Sequence, residues 1–133
     1  MGAGLYLHVP FCRRKCPYCN FYSVPAQPEL LTAYTAAVCR NLRHYGNAAQ
    51  PERVDTVYFG GGTPSLLPPA QIAQILETAA EQFALSADAE ITLEANPATV
   101  TPEQLRELRH AGINRLSLGV QSLSDAQLKR LGR

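Results

Sequence analysis

Residues 4–19 read GLYLHVPFCRRKCPYC, a short stretch of alternating side chains followed at once by three cysteines. Apolar residues alternate with polar or aromatic ones over residues 4–9, which is typical of a β-strand with one buried face. Pro10 lacks a backbone donor and ends the strand. The stretch therefore predicts a strand whose carboxyl end opens directly into a cysteine-bearing loop.

Further along the chain, the pattern alternates strand and helix four times. The predicted strands cover residues 4–9, 54–59, 90–95 and 113–120. Helices are predicted over residues 29–45, from 68 or 69 to 83, over 101–112, and after Ser124. Each of the first two helices is predicted to bury one apolar stripe. The stripe of the first helix is Leu31, Tyr34, Val38, Leu42 and Tyr45, and that of the second is Ile72, Ile75, Leu76, Ala79 and Phe83.

Local signals mark where the last two helices begin. Thr101 with Gln104 has the form of a capping box, with proline just inside the helix. Ser124 with Gln127 predicts a second capping box, and Leu123 with Leu128 a hydrophobic staple around it.

Alternating strands and helices predict an α/β fold with a parallel sheet and right-handed crossovers. Parallel strands buried on both faces read as continuous apolar runs, and these strands do not. The fourth, for example, alternates Leu116 and Leu118 with Arg115 and Ser117. We therefore expect an open, curved sheet with helices on one face and a polar cavity on the other, rather than a closed (β/α)₈ barrel.

Cys12, Cys16 and Cys19 place three thiols on one loop at the carboxyl end of the first strand. A 4Fe–4S cluster usually takes four thiolates, so three would leave one iron open to a small chelating molecule. The main alternative is a zinc ion held by three cysteines and one histidine. His8 is the nearest histidine in the sequence, but it is poorly placed as a ligand because it lies in the strand, on the far side of Pro10. A redox pair of Cys16 and Cys19 would leave Cys12 unexplained.

Other polar and glycine residues follow the remaining strands at the same edge of the sheet. The sequence GGGTP over residues 60–64 is either a tight turn or a loop that lets a ligand approach the backbone. Glu94 and Gln121 end the third and fourth strands on the polar face. Ligands of open parallel sheets bind outside the carboxyl ends of the strands, so these features predict one binding site. Cys39, by contrast, is expected to be a small buried hydrophobe within the first helix.

Composition excludes several classes of protein. The 133 residues carry a net charge of +1 and no run of cations typical of nucleic-acid binding, and residues 13–15 form only a short basic loop. That loop is either solvated or an electropositive collar for a cluster or an electron donor. No apolar run is long enough for a membrane span, and the N-terminus lacks a signal-peptide pattern, so we expect a cytosolic protein.

Several motifs resemble a known family when they are taken in order. CxxxCxxC with an aromatic at Tyr18, followed by GGTP, is the signature of radical S-adenosylmethionine (SAM) proteins. The sequence narrows further to the oxygen-independent coproporphyrinogen III oxidase and haem chaperone family. The stretches that carry this likeness are LYLHVPFC (5–12), YFGGGTP (58–64), EANP (94–97) and LGVQS (118–122). The resemblance implies that residues 1–133 are the N-terminal part of a radical SAM core domain, a partial TIM barrel of which about four βα units are present.

The resemblance also implies cofactors and the residues that bind them. Cys12, Cys16 and Cys19 would hold a 4Fe–4S cluster, whose open iron would bind SAM and reduce it to a 5′-deoxyadenosyl radical. Flavodoxin or ferredoxin would supply the electron. The SAM contacts implied are Tyr6, Tyr18, Gly61, Gly62, Thr63 and Glu94, with Gln121 and Arg133 at a second SAM molecule.

One position departs from the oxidase pattern. The oxidase carries a further cysteine two positions after the third cluster ligand, where this chain has Phe21. Phenylalanine there is the pattern of the haem chaperone branch. The resemblance therefore favours a chaperone that binds SAM and haem over an enzyme that decarboxylates a porphyrinogen, with the oxidase and a structural zinc domain as the alternatives.

Overall fold

The computed structural model describes residues 2–48 and 53–133. Its centre is a four-stranded parallel sheet made of β1 (Ala3–Val9), β4 (Arg53–Gly61), β5 (Ala84–Ala95) and β6 (Arg115–Leu118). The strands lie side by side in that order. Two short parallel strands, β2 (Phe11–Cys12) and β3 (Val24–Pro25), flank the cysteine loop. The predicted α/β fold with an open parallel sheet is confirmed.

The described residues form the α-helices α1 (Pro28–Ala48), α2 (Pro69–Gln82), α3 (Pro102–His110) and α4 (Asp125–Arg130). The first three connect strands, and α4 follows β6. The first two pack side by side against the sheet. Both of their predicted stripes are buried or half-buried, except that Tyr45 is 63 % exposed and does not belong to the core. No helix in the described ranges combines the length and apolar character needed to cross a membrane.

In β1, β4 and β5 the sheet is two-faced, as the alternation predicts, whereas Leu116 and Leu118 of the edge strand β6 are exposed. Leu7, Phe59 and Leu93 align across three strands and are buried under the helices. The neighbouring row, on the opposite face, contains Tyr6 and Tyr58. Because one face alone is covered by helices, the other is free to carry hydrogen-bonding groups.

Several strand boundaries differ from the prediction. β1 begins one residue earlier, β4 spans Arg53–Gly61 rather than residues 54–59, and β6 begins at Arg115 rather than at residue 113. β5 begins at Ala84 rather than at residue 90, because the chain from Ala84 already pairs with Arg53. β6 ends at Leu118 rather than at residue 120, because Gln121 has a φ of 65° and turns the chain away. A strand that alternates well in sequence still ends where its neighbour offers no further pairing.

One of the two predicted capping boxes forms. Thr101 and Gln104 exchange both capping hydrogen bonds. At α4 the prediction is wrong, because the hydroxyl of Ser122, not that of Ser124, bonds Gln127. The predicted staple is also wrong, since Leu123 is 97 % exposed and packs on nothing.

Tyr34 links α1 to the end of β1 and provides a pH-dependent test of the packing. Its hydroxyl donates to the His8 carbonyl at 2.7 Å, and its ring meets Phe11 edge-on. Burial, and to a lesser degree the nearby Tyr6, raises the pKa of Tyr34 to about 12. The folded state therefore favours the neutral phenol, and this stabilisation is present below pH ~10 and lost as the pH rises through about 12.

We expect Tyr34→Phe to lower the free energy of unfolding by about 1 kcal/mol at pH 7.5, because one hydrogen bond is lost. The variant should also lose less stability than the wild type between pH 10 and 12. Urea unfolding at several pH values measures both effects. An unchanged alkaline profile would mean that Tyr34 does not titrate in this way.

Candidate functional site

A cavity of about 610 Å³ lies at the carboxyl ends of the strands. The cysteine loop, the glycine loop after β4, the ends of β5 and β6, and the residues after α4 all contribute to its wall. The predicted site residues that line it are Cys12, Cys16, Tyr18, Cys19, Gly61, Gly62, Thr63, Glu94, Gln121 and Arg133. The features that the sequence placed on one rim thus share one cavity.

Cys12 is fixed by backbone bonds on both sides of β2. On one side Ala26 N–H donates to the Cys12 carbonyl at 3.3 Å. On the other, Thr63 N–H donates to the Phe11 carbonyl at 2.7 Å, and its hydroxyl lies 3.6 Å from Cys12 Sγ. The glycine loop therefore positions the first cysteine as well as lining the cavity.

Glycine is needed at positions 61 and 62 for two different structural reasons. Gly61 has a φ of 114°, a left-handed conformation that side chains strongly disfavour. At Gly62 an added Cβ would lie 2.6 Å from the Phe11 carbonyl oxygen. The lack of a side chain at Gly62 thus allows the glycine loop and β2 to approach each other closely.

Cys16 and Cys19 occupy a turn closed by a Cys19 N–H to Cys16 carbonyl bond of 3.0 Å. Arg133 Nη1 lies 3.8 Å from Cys16 Sγ, while its Nη2 donates to the Gly119 carbonyl. Desolvation by burial, reinforced by Cys16, raises the pKa of Tyr18 beside them. Arg133 therefore lies at the site, in contact with the loop of cysteines.

The cavity offers cysteine donors, which both a 4Fe–4S cluster and a zinc ion accept. All four cysteines are free thiols. Three line the cavity, and Cys39 is buried in α1, with Sγ near the Gln74 carbonyl. In the described part of the chain, no three His, Cys, Asp or Glu side chains are placed to hold a single metal ion. His8 does not line the cavity, and its ring instead pairs with the Tyr6 hydroxyl at 3.3 Å. With three thiols and no histidine among the lining residues, the donor set suits an iron–sulfur cluster with one open iron rather than a zinc site of three cysteines and one histidine.

Glu94 is held on both of its carboxylate oxygens. Tyr58 Oη donates to Oε1 at 2.8 Å, and Gly61 N–H donates to Oε2 at 3.1 Å. The bond to Glu94 is the main reason that the pKa of Tyr58 is raised. Glu94 lines the cavity, and the two bonds give its carboxylate a defined orientation.

Tyr6 lies differently from its expected place, and Tyr58 makes a contact that the sequence did not indicate. Tyr6 does not line the cavity but stacks on Tyr58, with ring centroids 6.0 Å apart. Tyr58 was not singled out from the sequence. The signal that could have identified it is its place on the polar face of β4, in register with Tyr6.

Cations outnumber carboxylates around the cavity. Its charged lining residues are Arg13, Arg14, Lys15 and Arg133, against the single carboxylate of Glu94. We call these four cations the basic rim. Arg14 also donates to the Gly132 carbonyl and so connects the cysteine loop to the residues after α4. The three cavity thiols therefore have positive charge close by.

The family follows from comparison with known proteins. Residues 6–133 match the family model described as "Radical SAM superfamily". The chain belongs to the radical SAM superfamily. Membership implies a 4Fe–4S cluster and SAM, in agreement with the cavity described above.

Individual radical SAM relatives cover nearly all of this chain. It is 44% identical over 131 residues to "Heme chaperone HemW" of Escherichia coli K12, covering 98% of this chain and 35% of the relative. It is 45% identical to "Radical S-adenosyl methionine domain-containing protein 1, mitochondrial" of Mus musculus, covering 98% of this chain and 30% of that protein. The chain thus spans about a third of the length of the curated relatives it matches.

A solved structure confirms the fold. The chain matches Escherichia coli coproporphyrinogen III oxidase (HemN), described as a radical SAM enzyme, with a TM-score of 0.89 and 32% identity. The match covers 98% of this chain and 30% of that one. The parallel sheet and its connecting helices are therefore those of a radical SAM fold.

Proposed function

We propose that Cys12, Cys16 and Cys19 hold the 4Fe–4S cluster and that SAM binds beside it in the same cavity. The observation that carries this proposal is that three free thiols share one cavity with the glycine loop and Glu94. When bound, the reduced cluster supplies the electron that cleaves SAM. The chain itself binds and orients the two groups and shields them from water.

Each remaining contact has a proposed role that suits its chemistry. Gly61, Gly62 and Thr63 are proposed to bind the methionine end of SAM, and Glu94 to accept from ribose hydroxyls. Tyr18 is proposed to pack near the adenine. Gln121 and Arg133 are proposed to contact a second SAM molecule, and both line the cavity. Tyr6 is proposed to support SAM binding indirectly, because it stacks on Tyr58, which in turn bonds Glu94.

For the whole protein we propose a haem chaperone of the radical SAM type. Phe21 supports this, because it lies at the cavity, 62 % exposed, at the position where the oxidase pattern has a cysteine. Relatives named as haem chaperones support it too, at 44% identity in Escherichia coli and 40% in Synechocystis. The second candidate is the oxidase, favoured by the likeness to coproporphyrinogen III oxidase.

Anaerobic assays on the protein that carries this sequence separate the two candidates. A chaperone should bind haem in a Soret absorbance titration and leave coproporphyrinogen III unconverted under reducing conditions. The Escherichia coli oxidase serves as the positive control for conversion. Robust formation of protoporphyrinogen by this protein would reject the chaperone in favour of the enzyme.

The zinc alternative is tested by reconstitution with iron and sulfide. We expect a broad visible absorbance from the cluster and about four irons per chain. Stoichiometric zinc without that absorbance would leave the radical chemistry without support.

We also propose that the basic rim docks an acidic electron-donor protein such as flavodoxin. Arg13 and Lys15 are exposed between two proposed cluster ligands, so a donor bound there would approach the cluster closely. None of the salt bridges among the described residues involves the basic rim. One electron would pass from the reduced flavin to the cluster. Such a donor requires a reducing compartment, in agreement with a proposed cytosolic location and the free cysteines.

Charge reversal tests this docking surface. Arg13→Glu with Lys15→Glu should raise the Kd for flavodoxin about tenfold or more at low salt, and less as salt screens the charges. Arg14 is left intact because it bonds the Gly132 carbonyl. The matched control is Arg40→Glu with Arg43→Glu, an equal charge change towards the far end of α1. Dithionite should reduce the cluster equally in all forms, and equal flavodoxin affinities would reject the surface.

A further inference from the structure

The carboxylate of Glu94 is more constrained than an ordinary ligand-binding glutamate. Tyr58 Oη and Gly61 N–H each occupy one of its oxygens, at 2.8 and 3.1 Å. Each oxygen of a carboxylate accepts about two hydrogen bonds, so one acceptor position per oxygen stays open. Because Glu94 lines the cavity, those two positions are available to a ligand that presents two neighbouring donors.

Tyr58 is itself held in place by its surroundings. Its ring stacks on Tyr6, with the two planes inclined by 23°. Both rings lie against Gly60, where an added Cβ would come within 2.8 Å of Tyr58 and 3.0 Å of Tyr6. Gly60 therefore leaves the space that this pair of rings needs. A tyrosine hydroxyl is protonated at neutral pH even at its ordinary pKa, so Tyr58 stays a donor to Glu94.

We propose that Tyr58 is a positioning residue for SAM recognition: it fixes the Glu94 carboxylate so that its open acceptor positions meet the two ribose hydroxyls. The inference rests on the proposed SAM site and assigns it a further residue. Tyr58 and Glu94 lie on adjacent strands, β4 and β5, so the bond joins two rigid elements. A freely rotating glutamate would lose more conformational entropy on binding, and the bond to Tyr58 removes part of that cost in advance.

The test compares two ligands, S-adenosylhomocysteine and its 2′,3′-dideoxyribose analogue, by calorimetric titration of the cluster-loaded protein. Tyr58→Phe keeps the ring and removes only the hydroxyl. It should weaken S-adenosylhomocysteine binding roughly three- to tenfold. Affinity for the dideoxy analogue should stay unchanged, because that ligand has no hydroxyls for Glu94 to bind. Tyr34→Phe is the matched control, since it also loses one hydroxyl bond, but outside the cavity, and should alter neither affinity.

Glu94→Gln separates failure of the inference from failure of the proposed SAM site. The positioning role is supported if Glu94→Gln and Tyr58→Phe each weaken binding of the ribose-bearing ligand alone. In that case the loss of affinity in the double variant should be smaller than the sum of the two single losses. If Tyr58→Phe weakens both ligands equally, or neither, the positioning role is rejected while the SAM site stands. If Glu94→Gln itself shows no dependence on the ribose hydroxyls, the ribose assignment fails, and the inference fails with it.

Discussion

Cys16→Ala is expected to abolish the intact 4Fe–4S cluster in the protein that carries this sequence. Only three cysteines line the cavity, so the loss of one leaves two thiolates for a group that usually takes four. Among the described residues no other thiol is in a position to replace it, because Cys39 is buried within α1. Iron content should fall from about four per chain towards zero after anaerobic reconstitution. Iron and sulfide assays, with the visible absorbance, measure this loss.

Cys39→Ala is the matched control for the cluster variant. It removes the same atom from a site away from the cavity, where Sγ only approaches the Gln74 carbonyl at 3.9 Å. We expect a modest loss of stability from the small void, and a fully assembled cluster. Equal cluster content in the two variants would show that the ligands are assigned wrongly.

Gly62→Ala is expected to have the next largest effect, although it removes no ligand. The added Cβ would lie 2.6 Å from the Phe11 carbonyl oxygen and 3.0 Å from the Val9 carbonyl oxygen, both of them backbone atoms. The glycine loop and β2 must therefore separate, which weakens the bond from Thr63 N–H to Phe11 and shifts Cys12. We expect a destabilisation of about 1–3 kcal/mol and a markedly lower yield of cluster.

Gly4→Ala is a suitable comparison for this substitution. Its Cβ would meet the Thr56 hydroxyl at 2.8 Å, a side-chain atom that is able to rotate away. The cysteine loop lies at the other end of β1, so cluster yield should stay near the wild-type level. Thermal unfolding with and without cluster separates the two effects. If Gly62→Ala assembles cluster as well as Gly4→Ala, close backbone approach does not position Cys12.

Much of the site was predictable because it is local in sequence. Cys12, Cys16 and Cys19 share one short loop, and the glycine loop directly follows a strand. Since carboxyl ends of parallel strands meet at one edge, alternation and motif order together predicted a common cavity. The capping box at Thr101 was predictable for the same reason, since its partners lie three residues apart.

The contacts that failed or were missed are those that depend on distant parts of the chain. The Ser124 capping box was displaced by Ser122, whose position follows from the turn after β6. The bond from Tyr58 to Glu94 joins residues 36 positions apart and exists only because of the register of β4 with β5. Arg133 meets Cys16 across 117 positions.

The sequence by itself therefore determined the α/β fold, the order of its elements and the three thiols that end up at one cavity. Periodicity and spacing suffice for these, since they express which side chains are buried and which share a loop. Only the tertiary structure decided how Glu94 is oriented, that Tyr6 supports Tyr58 instead of lining the cavity, and where β6 ends. These features depend on strand register and backbone contact between distant segments, which a linear pattern does not encode.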